Sequence, residues 1–119
     1  MTKESSSLMP HHRLHAYGLA LEVLAAVKSG EVRDRKLRDE AVRAAESVCL
    51  NCAEGAGRVT RADKARAFAI ARGELVEAVA AVEIAVAAGD ARREALPQVL
   101  ALGQRLTPCS RGWCAELSA

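Results

Sequence analysis

Aromatic residues are almost absent from this chain: its 119 residues include one Phe, one Trp and one Tyr. Half of the residues are nevertheless apolar, and most of these are Ala, Val and Leu. Ala and Leu are strong helix formers, whereas β-sandwiches and barrels need more β-branched and aromatic residues. The composition therefore predicts an all-α protein, and the length predicts a single domain.

The chain also lacks an excess of charge of one sign and a long apolar run. It has 17 Lys and Arg against 15 Asp and Glu, a net charge of +2, so its composition does not require nucleic acid or a membrane as partner. A membrane span needs about 20 predominantly apolar residues, and residues 1–12 lack the apolar segment of a secretory signal. We expect a cytoplasmic protein with no membrane partner, whose thiols stay reduced.

Apolar residues recur at helical spacing in four segments, which are separated by glycines and charged connectors. Short connections between amphipathic helices favour an antiparallel, up-down four-helix bundle. We expect residues 1–11 to form a flexible tail and residues 12–119 to form the bundle domain. The predicted helices span 12–29, 34–54, 61–88 and 91–106.

Residues typical of helix ends support these boundaries. Gly30 is expected to stop the first helix in the left-handed conformation, and Gly89 is expected to close the third helix. Thr60 and Asp63 have the spacing of a capping box at the start of the third helix. Asp90 is a candidate cap for the fourth helix, in which Pro97 marks either a kink or the start of the regular part. We expect this helix to end at Pro108, with an irregular tail beyond it.

The third predicted helix is apolar nearly all round in its last three turns, where a surface helix would be polar on one side. Ala tolerates exposure, so these residues could simply face solvent. The alternative, which we favour, is that Phe68 and Leu75 face the bundle core while a second face packs against another subunit. This predicted oligomer interface consists of Ala78, Ala81, Ile84, Ala85 and Ala88.

Three glycines lie inside predicted helices, where Gly costs about 1 kcal/mol relative to Ala. Such a cost is often offset by a close approach of two backbones, although Gly can also be merely tolerated. Gly18, Gly73 and Gly103 are therefore predicted to mark close helix packing, with Gly103 the weakest case.

Residues 51–58 resemble the N-I-A-E-G-x-G-R signature of four-helix bundle proteins that are encoded in intervening sequences of 23S ribosomal RNA genes. Residues 37–48 and 69–77 are similar to two further segments of that family, and the resemblance covers residues 14–106. It implies a four-helix bundle that assembles into a homopentamer, in a family of unresolved biochemical role. The structural signature residues that it implies are Asn51, Glu54, Gly55, Gly57, Arg72 and Gly73.

A group related to that family, the accessory variability proteins of diversity-generating retroelements, forms a similar pentamer that binds nucleic acid and a reverse transcriptase. Those proteins are strongly basic, unlike this chain. Two basic clusters at predicted turns could nevertheless attract phosphate if a ring repeated them, although solvated turns with acidic neighbours are the simpler interpretation. The candidate RNA- or DNA-binding residues are Arg33, Arg35, Lys36, Arg38, Arg58, Arg61, Lys64 and Arg66.

Four cysteines and three histidines are candidate metal ligands, but their spacing is unfavourable. Cys49 and Cys52 lie on a predicted helix, where a structural zinc pair is uncommon, and a redox pair would need a helix N-terminus. Cys109 and Cys114 have loose spacing. We expect buried thiols rather than a metal site, and a solvated, frayed helix start for His11, His12 and His15.

Glu54 lies near the predicted C-terminus of the second helix, where a carboxylate is unfavourable. We expect a partly buried ion pair with Arg72 to offset this, with Arg58 or another subunit as the alternative partner. No nucleophile, base or phosphate-binding loop accompanies these charges. The sequence therefore predicts a non-enzymatic, oligomeric scaffold or adaptor protein without catalytic residues, cofactor or metal, and nucleic-acid binding is the alternative function.

The thiol interpretation predicts that the protein purified without added metal holds no stoichiometric zinc. A chelator should leave the helical circular dichroism unchanged, because folding does not depend on the cysteines. Elemental analysis that finds one zinc per chain would refute this expectation.

Overall fold

The computed structural model describes the backbone of residues 8–118 and the side chains of residues 8–106. Its described part is all-α, as predicted, and a 3-10 turn at Pro10–Arg13 precedes the first α-helix. Residues 1–7 of the predicted tail lie outside the described residues. The α-helices are α1 (His15–Ser29), α2 (Arg35–Gly57), α3 (Arg61–Ala87) and α4 (Ala95–Ser118).

The four helices surround one apolar core. Contacts join α1 to α2, α2 to α3, α3 to α4 and α4 back to α1, and the α2–α3 contact is the most extensive. Among the described residues, no polar or charged side chain is buried. The largest fully buried side chains come from all four helices: Leu19, Val23, Val48, Leu75, Val82, Val99 and Leu106.

Small side chains are frequent on the buried sides of α2 and α3. Alanines recur on the buried side of both helices, and small residues allow two backbones to approach closely. These alanines are Ala41, Ala44 and Ala45 on α2 and Ala67, Ala71 and Ala78 on α3.

The predicted interface on α3 is therefore wrong at three of its five positions. Ala78, Ala81 and Ala85 are buried in the core of the single chain, so they are not available to another subunit. The prediction reserved the core for the larger side chains, whereas close packing places the alanines there. Ile84 and Ala88 are exposed, as the prediction requires.

The α1–α2 and α3–α4 connections bind each other. The Arg33 amide donates a hydrogen bond to the Asp90 carbonyl over 2.7 Å, and the Arg92 amide donates one to the Gly30 carbonyl over 3.1 Å. The Arg33 guanidinium also donates to the Gly89 carbonyl. The C-terminal ends of α1 and α3 therefore lie at the same end of the structure.

The helix caps agree with the sequence at two places and differ at one. The Thr60 hydroxyl accepts a hydrogen bond from the Asp63 amide over 3.1 Å, and Gly89 has a φ of 77°. Gly30, however, has a φ of −69°, and the left-handed residue is Glu31, with a φ of 52°.

Gly30 is needed for a close contact instead. A Cβ atom at this position would lie 3.1 Å from the Cβ of Ala95 at the start of α4. The glycine that looked like a helix stop therefore lets the α1–α2 connection pack against α4.

The predicted cap at Asp90 and the predicted end of the fourth helix are wrong, whereas the alternative start near Pro97 is close to the observed one. The carbonyl of Asp90 binds Arg33, and α4 begins only at Ala95. Its backbone continues past Pro108 to Ser118, so the predicted irregular tail is helical. Pro97 lies in the first turn, where the missing N–H has no helical partner in any case.

Within the described residues, one of the three expected glycines, Gly103, lies at a close contact, and Gly55 does so without having been expected. A Cβ at Gly55 would lie 2.5 Å from a ring carbon of Phe68, so this signature glycine makes room for the aromatic ring. Gly103 lies close to Val79, with 3.3 Å between the added Cβ and Cγ2. An added Cβ at Gly18 or Gly73 would meet no described residue within 4 Å, so the close packing predicted for them does not occur between the described residues.

Replacing Gly55 with Ala should reduce the free energy of unfolding by about 1–3 kcal/mol, the usual cost of overpacking a core. In a Phe68→Leu background the same Gly55→Ala change should cost much less unfolding free energy, because the smaller side chain relieves the clash. Gly57→Ala is the matched control, since nothing lies within 4 Å of the added Cβ. Equal urea midpoints for the two alanine variants would contradict the packing role of Gly55.

Candidate functional site

Asn51, Glu54 and Arg58 from the signature segment 51–58 line an open cleft where α2 ends and α3 begins. The cleft has a volume of about 320 Å³. Acidic, basic and apolar side chains contribute to its walls, so it carries no dominant charge. Its lining residues are Asn51, Glu54, Arg58, Asp63, Arg66, Ala67 and Ile70.

Glu54 pairs with Arg58 one turn further along the chain. The carboxylate accepts a hydrogen bond from the guanidinium, which raises the pKa of Arg58. Both side chains are about half exposed. The expected pair of Glu54 with Arg72 is wrong, because Arg72 lies about three turns into α3 and is exposed; the alternative partner Arg58 is confirmed.

Two other polar side chains at or near the cleft, Asn51 and Lys64, donate hydrogen bonds to backbone carbonyls of α2. The Asn51 amide donates to the Ser47 carbonyl over 2.9 Å. The Lys64 ammonium donates to the carbonyls of Ala56 at 3.2 Å and Gly55 at 3.4 Å. A cation on the last carbonyls of a helix stabilises its C-terminus, so Lys64 offsets the unfavourable position of Glu54.

The basic cluster at the α1–α2 connection is partly engaged within the chain. Arg33 binds the Gly89 carbonyl, and Arg35 lies 4.0 Å from Asp39 on the solvent side. Lys36 and Arg38 are exposed.

The second basic cluster surrounds the signature cleft. Arg58 pairs with Glu54 and Lys64 caps α2, while Arg61 and Arg66 are exposed. The two clusters lie near opposite ends of α2, which is about 33 Å long. The structure therefore does not gather the eight candidate cations on one surface.

An ion-pair cluster that the sequence analysis missed connects α2 to α3. Arg43 contacts Glu40 over 2.7 Å, Glu74 over 3.2 Å and Glu77 over 2.6 Å. A hydrogen bond from Arg43 lowers the pKa of Glu74, and the Ser47 hydroxyl contributes to the shift. Arg43 and Glu74 both lie about four turns from the α2–α3 turn, and this equal spacing could have predicted the contact.

The two thiols described by the structure, Cys49 and Cys52, are buried, as predicted. Burial raises the pKa of Cys49 to about 11, which keeps it protonated at neutral pH. The side chains of Cys109 and Cys114 lie outside the described residues. Among the described residues, no group of three His, Cys, Asp or Glu side chains could hold a metal ion.

The predicted frayed helix start is instead ordered by local contacts. The Met9 amide donates to Nδ1 of His12 over 3.0 Å. The ring of His11 packs edge-on against the ring of Tyr17, with 4.8 Å between the ring centroids. His15 is the first residue of α1 and is exposed.

An apolar face on the outside of α3 lacks a partner within the described part of the chain. Val76 is 62% exposed and Ile84 is 55% exposed. Ala69, Gly73 and Ala87 are exposed on the same side. Within the described residues, no helix has the length and apolarity required to cross a bilayer.

A comparison with protein families gives one decisive match. The sequence model described as 23S rRNA-intervening sequence protein matches residues 13–108. The chain belongs to the 23S rRNA-intervening sequence protein family. No curated protein matches the chain.

The part of the chain that matches the 23S rRNA-intervening sequence protein family includes α1, α2 and α3 completely and α4 as far as Pro108. It therefore contains the signature cleft and the apolar outer face of α3. The resemblance expected for residues 14–106 is confirmed over nearly the same range.

Arg43→Met should lower the urea midpoint of unfolding at neutral pH, because it removes the partner of Glu74. The folded-state pKa of Glu74 is depressed, so its contribution to stability is present above the unfolded pKa and is lost as the pH falls through the folded pKa. The difference between Arg43→Met and the unmodified protein should therefore shrink below about pH 4.

Arg35→Met is the matched control, since its ion pair is long and highly exposed. It should change the midpoint little at any pH. An effect of Arg43→Met that is the same at pH 3 and pH 7 would rule out the ionised pair as its cause.

Proposed function

We propose that the chain is a non-enzymatic subunit of a homo-oligomeric scaffold or adaptor that works in the cytoplasm. Each subunit is an up-down four-helix bundle, and the subunits form a ring, with five copies favoured by the family resemblance. The observation that carries the proposal is the exposed apolar outer face of α3, with Val76 and Ile84 at its centre.

Exposure of this face is costly in a monomer. Burying one Val or Ile side chain contributes about 1.5–3 kcal/mol, and large contiguous apolar patches on soluble proteins commonly mark contact sites. Gly73 adds to the cost, because an exposed glycine inside a helix loses about 1 kcal/mol relative to Ala and no described residue lies within 4 Å of a Cβ added to it. A second subunit on this face would offset both terms.

The signature cleft supports a structural role more than a chemical one. Its Glu54 and Arg58 pair with each other, and the amide of Asn51 binds its own helix. These contacts engage three of the polar side chains of the cleft, and its described lining includes no His, Cys, Ser or Lys.

Nucleic-acid binding is less well supported. Among the eight candidate cations, Arg33 and Lys64 bind backbone carbonyls, and Arg35 and Arg58 contact carboxylates. Phosphate would have to compete with these partners.

Light scattering on the unmodified protein at micromolar concentration should give a mass of several subunits. Val76→Glu and Ile84→Glu should each lower the mass, because an unpaired charge is costly in an apolar interface. Arg35→Glu, which adds acid at an 87% exposed position away from this face, should leave it unchanged. A monomeric mass for the unmodified protein would overturn the proposal.

A fluorescence titration with a labelled single-stranded RNA at two salt concentrations tests the alternative function. The scaffold proposal predicts no saturable binding at micromolar protein. Saturable binding that weakens steeply with salt and is reduced by Arg66→Ala would favour the nucleic-acid function instead.

A further inference from the structure

The outer side of α1 carries a second apolar face without a partner among the described residues. Gly18, Leu21 and Ala25 are exposed there, and Leu21 is 44% exposed. A Cβ at Gly18 would meet nothing within 4 Å. We call these three residues the α1 face.

The outer side of α3 repeats this arrangement with the same spacing. Gly73, Val76 and Ala80 stand at i, i+3 and i+7, as do the three residues of the α1 face. We call Gly73, Val76 and Ala80 the α3 face. Its Val76 and Ala80 also line an apolar groove of about 200 Å³ between α3 and α4.

The two faces point away from each other and their helices run the same way. Helix contacts join neighbours around the bundle, so α1 and α3 occupy opposite corners. The bound connections place the C-terminal ends of α1 and α3 at one end. A second copy placed beside the first by rotation about an axis along the helices would therefore present its α1 parallel to α3 of the first.

We infer that the α1 face of one copy binds the α3 face of the next copy. This inference rests on the proposed oligomer and identifies the surfaces that form it. Contacts between two different faces are heterologous, and they close into a ring when the rotation between subunits permits. One type of contact thus covers both apolar faces of every subunit.

The register of this contact follows from the common spacing. When Gly18 lies beside Gly73, Leu21 of one copy lies beside Val76 of the next, at the mouth of the apolar groove, and Ala25 lies beside Ala80. The two glycines allow a close approach of the helices at that end of the contact.

Charges at the borders of the faces complement each other in this register. Glu22 borders the α1 face and Arg72 borders the α3 face, and both are exposed. Neither has an ion-pair partner among residues 8–106. In two parallel helices the border residues meet as the e and g positions of a coiled coil do, which brings Glu22 towards Arg72 of the neighbouring copy.

A symmetric pairing of two α3 faces is the main competitor. In an antiparallel pair, Arg72 would meet Glu83 of the second copy, so charge alone permits it. Such a dimer would leave Leu21 and the rest of the α1 face exposed. The heterologous contact covers both faces, which is why the geometry favours it.

Mixing two variants, each of which lacks one of the two faces, distinguishes the heterologous contact from the symmetric one. Leu21→Glu destroys the α1 face and keeps the α3 face, whereas Val76→Glu does the opposite. Each variant alone should have the mass of one subunit by light scattering. Their equimolar mixture should form a dimer and nothing larger, because one intact α1 face and one intact α3 face remain.

Three results decide against the inference. A Leu21→Glu variant that keeps the mass of the unmodified oligomer, or that forms a dimer alone, would overturn the α1–α3 contact while leaving the proposed oligomer intact. A mixture of two monomeric variants that stays monomeric would do the same. A monomeric unmodified protein would overturn both the proposed function and this inference.

Controls keep the experiment interpretable. Leu50→Glu changes a 70% exposed leucine on α2, outside both faces, and should preserve the mass of the unmodified protein. Circular dichroism verifies folding of each variant. If Leu21→Glu or Val76→Glu is unfolded, Ala25→Glu and Ile84→Glu change the same sides of α1 and α3 and give the same expected masses.

A charge exchange tests the register. Glu22→Arg and Arg72→Glu should each raise the concentration at which the oligomer dissociates by about two- to fivefold, the usual range for an exposed pair. The double variant should return close to the original value, while Glu46→Arg on α2 should have no effect. Additive losses in the double variant would refute the predicted pairing of Glu22 with Arg72.

Discussion

Close packing of α2 against α3 is the constraint on which the rest of the structure depends. Alanines recur on the buried sides of the two helices, and Gly55 leaves room for the only Phe of the chain. Alanines take many of the buried positions of α3, and the branched side chains Val76 and Ile84 lie on its outside. The described part of the chain therefore has an apolar surface that none of its own residues covers.

Helix number, fold class and family could be predicted from the sequence, because apolar spacing and the signature are local features. The orientation of α3 could not, since it is apolar on almost every side and Ala78 and Ala85 give no preference by size. The extent of α4 could not be predicted either, because Pro108 is typical of a helix end, whereas the backbone remains helical through it to Ser118. Tertiary contacts also determine the role of Gly30, which packs against Ala95. The left-handed backbone conformation is taken by Glu31 instead.

The candidate site was predicted only in part, for a similar reason. Glu54 and Arg58 are four residues apart on the chain, and their ion pair follows from local geometry. The Arg43 cluster depends on the register of α2 against α3, which requires the position of the turn between them. Lys64 looked like a candidate phosphate ligand, but its position at the end of α2 makes it a cap. Basic residues near helix ends are therefore poor indicators of nucleic-acid binding by themselves.

The central claim is that a single chain is incomplete and that its outer faces are covered by copies of itself. Native mass spectrometry over a range of concentrations tests this most directly, since it counts subunits of 12.6 kDa without relying on shape. The account predicts one dominant closed assembly whose mass is a fixed multiple of the chain and does not grow with concentration. A single-chain mass at every concentration, or an open series of increasing masses, would contradict it.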